Sequence, residues 1–158
     1  MAQVSVTIDA VRRGTLRDVW TLLLKEKVAE GYPSIGLYFL PIWISPSQAD
    51  IIIGELLQRP DKSTTPDIFL ASINAIESKI ECATIYLEGE TFYARLQLFH
   101  HDEVREVKCP IAVAVALASR AGASTLVEEA TWDKAALTIN RDWTLGVGNA
   151  VPATGKTG

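Results

Sequence analysis

Val4, Val6 and Ile8 alternate with Ser5, Thr7 and Asp9, a period of two that predicts a strand with one buried face. Val19 to Leu24 is a second apolar run and reads as another strand. Lys25 to Ser34, with Gly31 and Pro33, reads as a turn or loop, and Ile35 to Ile44 as the third strand. The period then changes. Ala49, Ile52, Ile53, Leu56 and Leu57 fall on one face of a helix from about Pro46 to Gln58. Ser45 is a natural N-cap for it, Pro46 fits the first helical position, and Gln48 stands at the capping-box position. Thr65 caps a second helix that starts at Pro66, with Phe69, Ile73 and Ile76 on its inner face. Ile80 to Leu87 and Phe92 to Phe99 form a hairpin around Glu88-Gly89-Glu90. His100 to Glu103 makes the next turn, before a strand from Val104 to Cys109. Pro110 opens an alanine-rich helix that stops at Gly122, and a short strand (Thr125 to Val127) and a short helix (Glu128 to Ala136) follow. This order predicts an α+β fold, an antiparallel or mixed sheet with hairpins packed against about three helices. Trp20 and Trp43 lie in apolar strand runs and are expected in the core. The pattern does not place Trp132 and Trp143.

From about Asn140 the pattern breaks down into Gly, Thr and Ala. The expected organisation is one domain over residues 1–139 and a flexible tail over 140–158. With 158 residues, 48% of them apolar, the chain can bury a sizeable core. The net charge of −4 argues against a nonspecific nucleic-acid coat, which needs clustered Lys and Arg, but leaves room for a nuclease with a local basic patch or a bound metal. Two cysteines, Cys82 and Cys109, are too few for a disulfide scaffold and fit a reducing compartment. No basic-then-apolar leader opens the chain. The longest apolar run, around Ile35 to Ile44, is too short to span a bilayer. The expectation is a cytoplasmic protein with no membrane partner. The apolar composition favours a homo-oligomer.

Four motifs carry more than framework. They are Leu40-Pro41-Ile42-Trp43-Ile44-Ser45-Pro46-Ser47-Gln48-Ala49, Arg59-Pro60 followed by Thr65-Pro66-Asp67-Ile68, Glu88-Gly89-Glu90-Thr91-Phe92-Tyr93-Ala94, and Lys108-Cys109-Pro110-Ile111-Ala112 running into the alanine-rich helix. In these the chain resembles the bifunctional nuclease (BFN) domain family, over roughly Val4 to Ala136. The family's runs read LPIWIG-x-x-EA, RP-x-THDL, D-G-x-FYA and D-x-RPSDAIALALR. The framework positions match. At polar positions Gln48 stands for Glu, Pro66 for His, and the Arg-Pro-Ser-Asp cluster is apolar. The resemblance implies a DNase and RNase, with nucleic acid as partner and a site near the starts of the first, second and alanine-rich helices. It also implies a catalytically degenerate alternative, a binding or assembly module on the same fold.

The residues supply few tools for hydrolysis. Arg59 and Asp67 flank a loop beside two helix starts, where backbone N–H groups favour anions. They are the candidates for gripping a phosphate and orienting a water, with Thr65 and Gln48 as substrate contacts. Asp67 also suits the helix dipole in its own right. No metal ligand set is evident. A divalent metal is compatible with the family chemistry, but its identity cannot be read. His100-His101 fits an exposed hairpin tip better than an acid/base pair, because neighbours in a strand face opposite ways. Gly155-Lys156-Thr157 does not read as a phosphate loop, which needs glycine where Ala150 stands.

Overall fold

The computed structural model describes residues 2–14, 19–27, 38–57, 65–139 and 150–152. These form nine strands and four helices, an α+β fold as the pattern predicts: β1 (Gln3–Arg13), β2 (Trp20–Glu26), β3 (Tyr38–Ile44), α1 (Pro46–Leu56), α2 (Thr65–Ala75), β4 (Lys79–Glu88), β5 (Thr91–His100), β6 (Glu103–Cys109), α3 (Ile111–Ala121), β7 (Ser124–Glu128), α4 (Glu129–Ala135), β8 (Leu137–Ile139) and β9 (Ala150–Pro152). The strands make one mixed sheet in the order β6-β5-β4-β7-β1-β2-β3-β8-β9. Only β4 and β7 pair in parallel, and α3 makes the crossover that leads to that pairing.

Local chemistry sets the hairpins. β4 and β5 pair through Glu88 and Thr91 around Gly89-Glu90, and Gly89 has φ +66°, a value only glycine adopts at little cost. β5 and β6 close through His100 and Glu103. His101 and Asp102 both have positive φ, which matches a two-residue type I′ turn. β1 is longer than its alternation suggests, because its register shifts between Ile8 and Ala10 and the bulge interrupts the period. β9 pairs with β8, a strand the sequence pattern did not anticipate. β6 is an edge strand whose exposed Glu103, Arg105, Glu106 and Lys108 guard it against further pairing.

The core joins Val6, Leu22, Leu24, Leu40 and Ile42 from the sheet to Ala49 and Ile52 of α1 and to Ala114, Val115 and Leu117 of α3. Small side chains on α3 let it lie close to both α1 and the sheet. Several expected inner faces are rotated. On α1 the stripe towards α3 runs through Gln48, Ile52 and Glu55, which leaves Leu57 on the far side and Leu56 exposed at the helix end. On α2 the inward residues are Pro66, Leu70 and Ile73. Phe69 and Ile76, expected inside, are 49% and 61% exposed, because the pairing of Asp67 with Arg120 fixes the helix about its axis. Trp43, also expected in the core, is 80% exposed. Ile42 and Ile44 point inward from β3, so their neighbour must point out. Trp20 packs against the core from its edge, and Trp143 lies outside the described residues.

α2 ends in a Schellman turn. The Ser78 N–H donates to the Ile73 carbonyl and the Glu77 N–H to that of Asn74. Glu77 holds φ +58° there, where a side chain costs about 1 kcal/mol relative to glycine. Glu77→Gly is expected to raise the thermal midpoint by about 2–4 °C, measured by circular dichroism. α3 ends in the same geometry with glycine already in place, Gly122 at φ +68°.

Candidate functional site

A cleft of about 770 Å³ opens where the end of β3, the β4–β5 turn, the end of β6 and the start of α3 meet. That volume suits a small-molecule or nucleotide-sized guest. Its walls include Trp43, Gln48, Phe92, Tyr93, Lys108 and Cys109. Each is placed by a local rule. Strand alternation turns Trp43 outward. The hairpin register brings Phe92 and Tyr93 beside the end of β6. Pro110, with no N–H to give the sheet, ends β6 and starts α3.

Gln48 ties the cleft together. The Ser45 hydroxyl caps α1 by accepting from the Gln48 N–H at 3.3 Å, which is half of the expected capping box. The Gln48 side chain turns to α3, where its Oε1 accepts from the Ala112 N–H at 3.2 Å. Ala112 N–H is one of the first-turn donors that a helix cannot satisfy internally. The N-cap of α3 is Pro110, which offers no side-chain cap, so a residue from α1 supplies the acceptor. A carboxylate in this place would meet the same N–H and the positive end of the α3 dipole.

The other polar groups of the cleft bind better than they react. The Lys108 ammonium lies 3.8 Å over the Tyr93 ring, a cation–π contact that holds the charge at the rim. Burial pushes the Cys109 thiol up to about 11, against a weaker lowering by a backbone hydrogen bond with Leu96. At neutral pH it is a protonated, poorly nucleophilic thiol. Glu90, in the β4–β5 turn, is the one carboxylate lining the cleft among the described residues. Among the described residues no three His, Cys, Asp or Glu side chains converge as a metal site.

A second polar cluster sits at the other end of α3. Arg120 Nε donates to Glu55 Oε2 of α1 at 2.7 Å, and its guanidinium also pairs with Asp67 of α2. One cation therefore locks two carboxylates and three helices.

The sequence-predicted residues divide between these places. Gln48 lines the cleft. Asp67 lies in the Arg120 cluster. Ala112 and Arg120 are eight residues apart on α3, so the two places stand about 12 Å apart along its axis. Thr65 opens α2, and Arg59 lies outside the described residues. At the β5–β6 turn His100 Nδ1 hydrogen-bonds the Ser78 hydroxyl at 2.7 Å. The left-handed turn brings the two imidazoles edge to face at 4.0 Å, where strand geometry alone would have separated them. Sequence reasoning passed over Arg120, Glu55, Lys108 and Trp43. Strict alternation between Ile42 and Ile44 could have found Trp43. Lys108 stands in the last of the four motifs, while Glu55 and Arg120 carry no local signal.

No helix of the described residues is long and apolar enough to cross a membrane. No curated protein matches the sequence. The bifunctional nuclease domain model matches residues 34–140, more than half of the chain and all four motifs, including every residue named in the cleft. The chain belongs to the bifunctional nuclease domain family.

Proposed function

We propose that this protein holds nucleic-acid strands in the cleft between β3 and α3, with phosphodiester hydrolysis weak or lost. The observation that carries this reading is the Gln48 Oε1 contact with the Ala112 N–H at 3.2 Å. Hydrolysis needs a group that takes a proton from water or holds a hard cation, and an amide does neither well. The Cys109 thiol, raised to about 11, does not replace it. Among the described residues what remains is a binding surface of aromatic rings, the Lys108 ammonium, the Glu90 carboxylate and hydrogen-bonding side chains. The free thiols Cys82 and Cys109 accord with a cytoplasmic location, and self-association belongs to the same reading.

A second reading places residual catalysis at the start of α2, with Arg59 gripping the phosphate, Asp67 orienting water and Thr65 contacting substrate, while Gln48 stays in the cleft at the other end of α3. Its support is a carboxylate and a guanidinium already paired at the first turn of α2. The test is incubation of fluorescent single- and double-stranded DNA and RNA with Mg²⁺, Mn²⁺ or EDTA, read for both binding and cleavage. The expected result is retained binding with turnover close to the blank. Robust metal-dependent cleavage, lost in Arg59→Ala and in Asp67→Asn while both stay folded, would move the function to the second site.

A further inference from the structure

We infer that the cleft selects an unpaired base, with Trp43 as the stacking platform that makes the protein a single-strand binder. This deepens the proposed nucleic-acid reading and rests on it.

Trp43 shows 80% of its surface to solvent and forms one wall of the cleft, with Phe92 and Tyr93 also lining it. Single exposed apolar side chains are common on protein surfaces. This one differs because it flanks a cavity with an aliphatic floor that includes Ile42, Ile44 and Ile111 and with Phe92, Tyr93, Gln48 and Lys108 on its other walls. It also sits on a strand pinned on one side by β2, through Thr21 opposite Trp43. Its flanking residues Ile42 and Ile44 are buried. The ring is therefore carried on a rigid support, so little ordering entropy is lost when a flat partner stacks on it.

A flat guest with one negative charge placed at Lys108 fits the cleft, and Glu90, which also lines it, disfavours a second anion on its side. The aromatic wall supplies stacking, which every nucleobase can use through its π-face. Lys108, at 3.8 Å from the Tyr93 ring, supplies one cation for one phosphate. Gln48 supplies an amide whose remaining donors can meet a base edge or a sugar hydroxyl. In a duplex the base faces are occupied by their neighbours and only edges are offered in the grooves. A stacking platform inside a cleft of about 770 Å³ thus requires a base that is already unpaired or is flipped out.

A small electrostatic share follows from the same geometry. With one ammonium among the described residues that line the cleft, the slope of log affinity against log salt is expected near −0.7, the value for about one phosphate on a single strand. A basic-groove binder would show a slope several times steeper.

The experiment is fluorescence anisotropy of short labelled single-stranded DNA and RNA and of the matching duplexes, with wild type, Trp43→Ala and Trp43→Phe, at several salt concentrations. Circular dichroism confirms that each variant is folded, which the exposure of Trp43 leads one to expect. Single strands should bind at least tenfold tighter than duplexes. Trp43→Ala should weaken single-strand binding by about tenfold or more, and Trp43→Phe should recover part of the loss. Equal affinity for duplex and single strand, or full affinity in Trp43→Ala, would overturn the inference and leave strand binding itself standing. No binding of any of the four nucleic acids would overturn both.

Discussion

Arg120→Ala should cost about 3–5 kcal/mol of stability, the range measured when one member of a buried ion cluster is removed. The reason is what it leaves behind. Glu55 and Asp67 both direct their carboxylates at this guanidinium. The three side chains are only 20%, 13% and 17% exposed, so water cannot replace the lost partner well. Glu55 of α1 would then keep its carboxylate in a site only 13% exposed with this cation gone. For a chain of this size the thermal midpoint should fall by roughly 10 °C, and the urea midpoint should fall without a change in slope. Replacing all three residues by apolar ones of similar volume should be far milder, because the desolvation cost of the charges disappears with them. A midpoint within 1–2 °C of wild type in Arg120→Ala would show that the cluster contributes no more than an exposed ion pair. This prediction also guards the functional test. Asp67→Ala can abolish activity by loosening α2, whereas Asp67→Asn keeps an acceptor for Arg120 and isolates the charge.

The chain's local signals were legible because they rest on single residues. Ser45 and Pro46 start α1, Gly89 turns the β4–β5 hairpin, Gly122 ends α3, and alternation writes most of the strands. Helix rotation was not legible. Phe69, Ile73 and Ile76 satisfy a helical period as well as Pro66, Leu70 and Ile73 do. What chooses between them is Arg120, more than 40 positions along the chain from each. The same holds for the cleft. Gln48 stands out in its motif and family resemblance, yet its bond to Ala112 spans 64 positions and has no sequence signature. The Ser45–Gln48 capping spacing suggested a local role for that side chain beside its candidacy as a substrate contact. The structure spends it on another helix, because Pro110 leaves the start of α3 without a cap of its own. Trp43 was misplaced for a different reason. An apolar residue in an apolar run was read by composition, while the alternation beside it already assigned it to the outer face.

Trp132→Ala is the other large stability effect to expect, at about 3–5 kcal/mol. The side chain is 0% exposed and belongs to the main core cluster, although it sits on α4, a helix of only seven residues. So short a helix has little stability of its own, and it is held by what it buries. Trp132 supplies the bulk of that burial. Thr131 beside it accepts the Leu87 N–H of β4 at 2.9 Å, and the Trp132 carbonyl accepts the Ala136 N–H at 2.8 Å. Truncation removes the ring, leaves a cavity that only partly collapses, and frees α4 from β4. Trp132→Phe should lose much less, since most of the volume stays. Urea denaturation followed by far-UV circular dichroism measures both, and tryptophan emission adds a second check. Of the four tryptophans, Trp132 is fully buried, Trp20 half-buried and Trp43 exposed, so the alanine variant should lose intensity mainly from the blue side of the emission band. Combined with Arg120→Ala, the summed loss of about 6–10 kcal/mol reaches the whole stability of a typical domain, so the double variant should be unfolded at 25 °C. A Trp132→Ala protein that melts with the wild type would mean that the core is complete without α4.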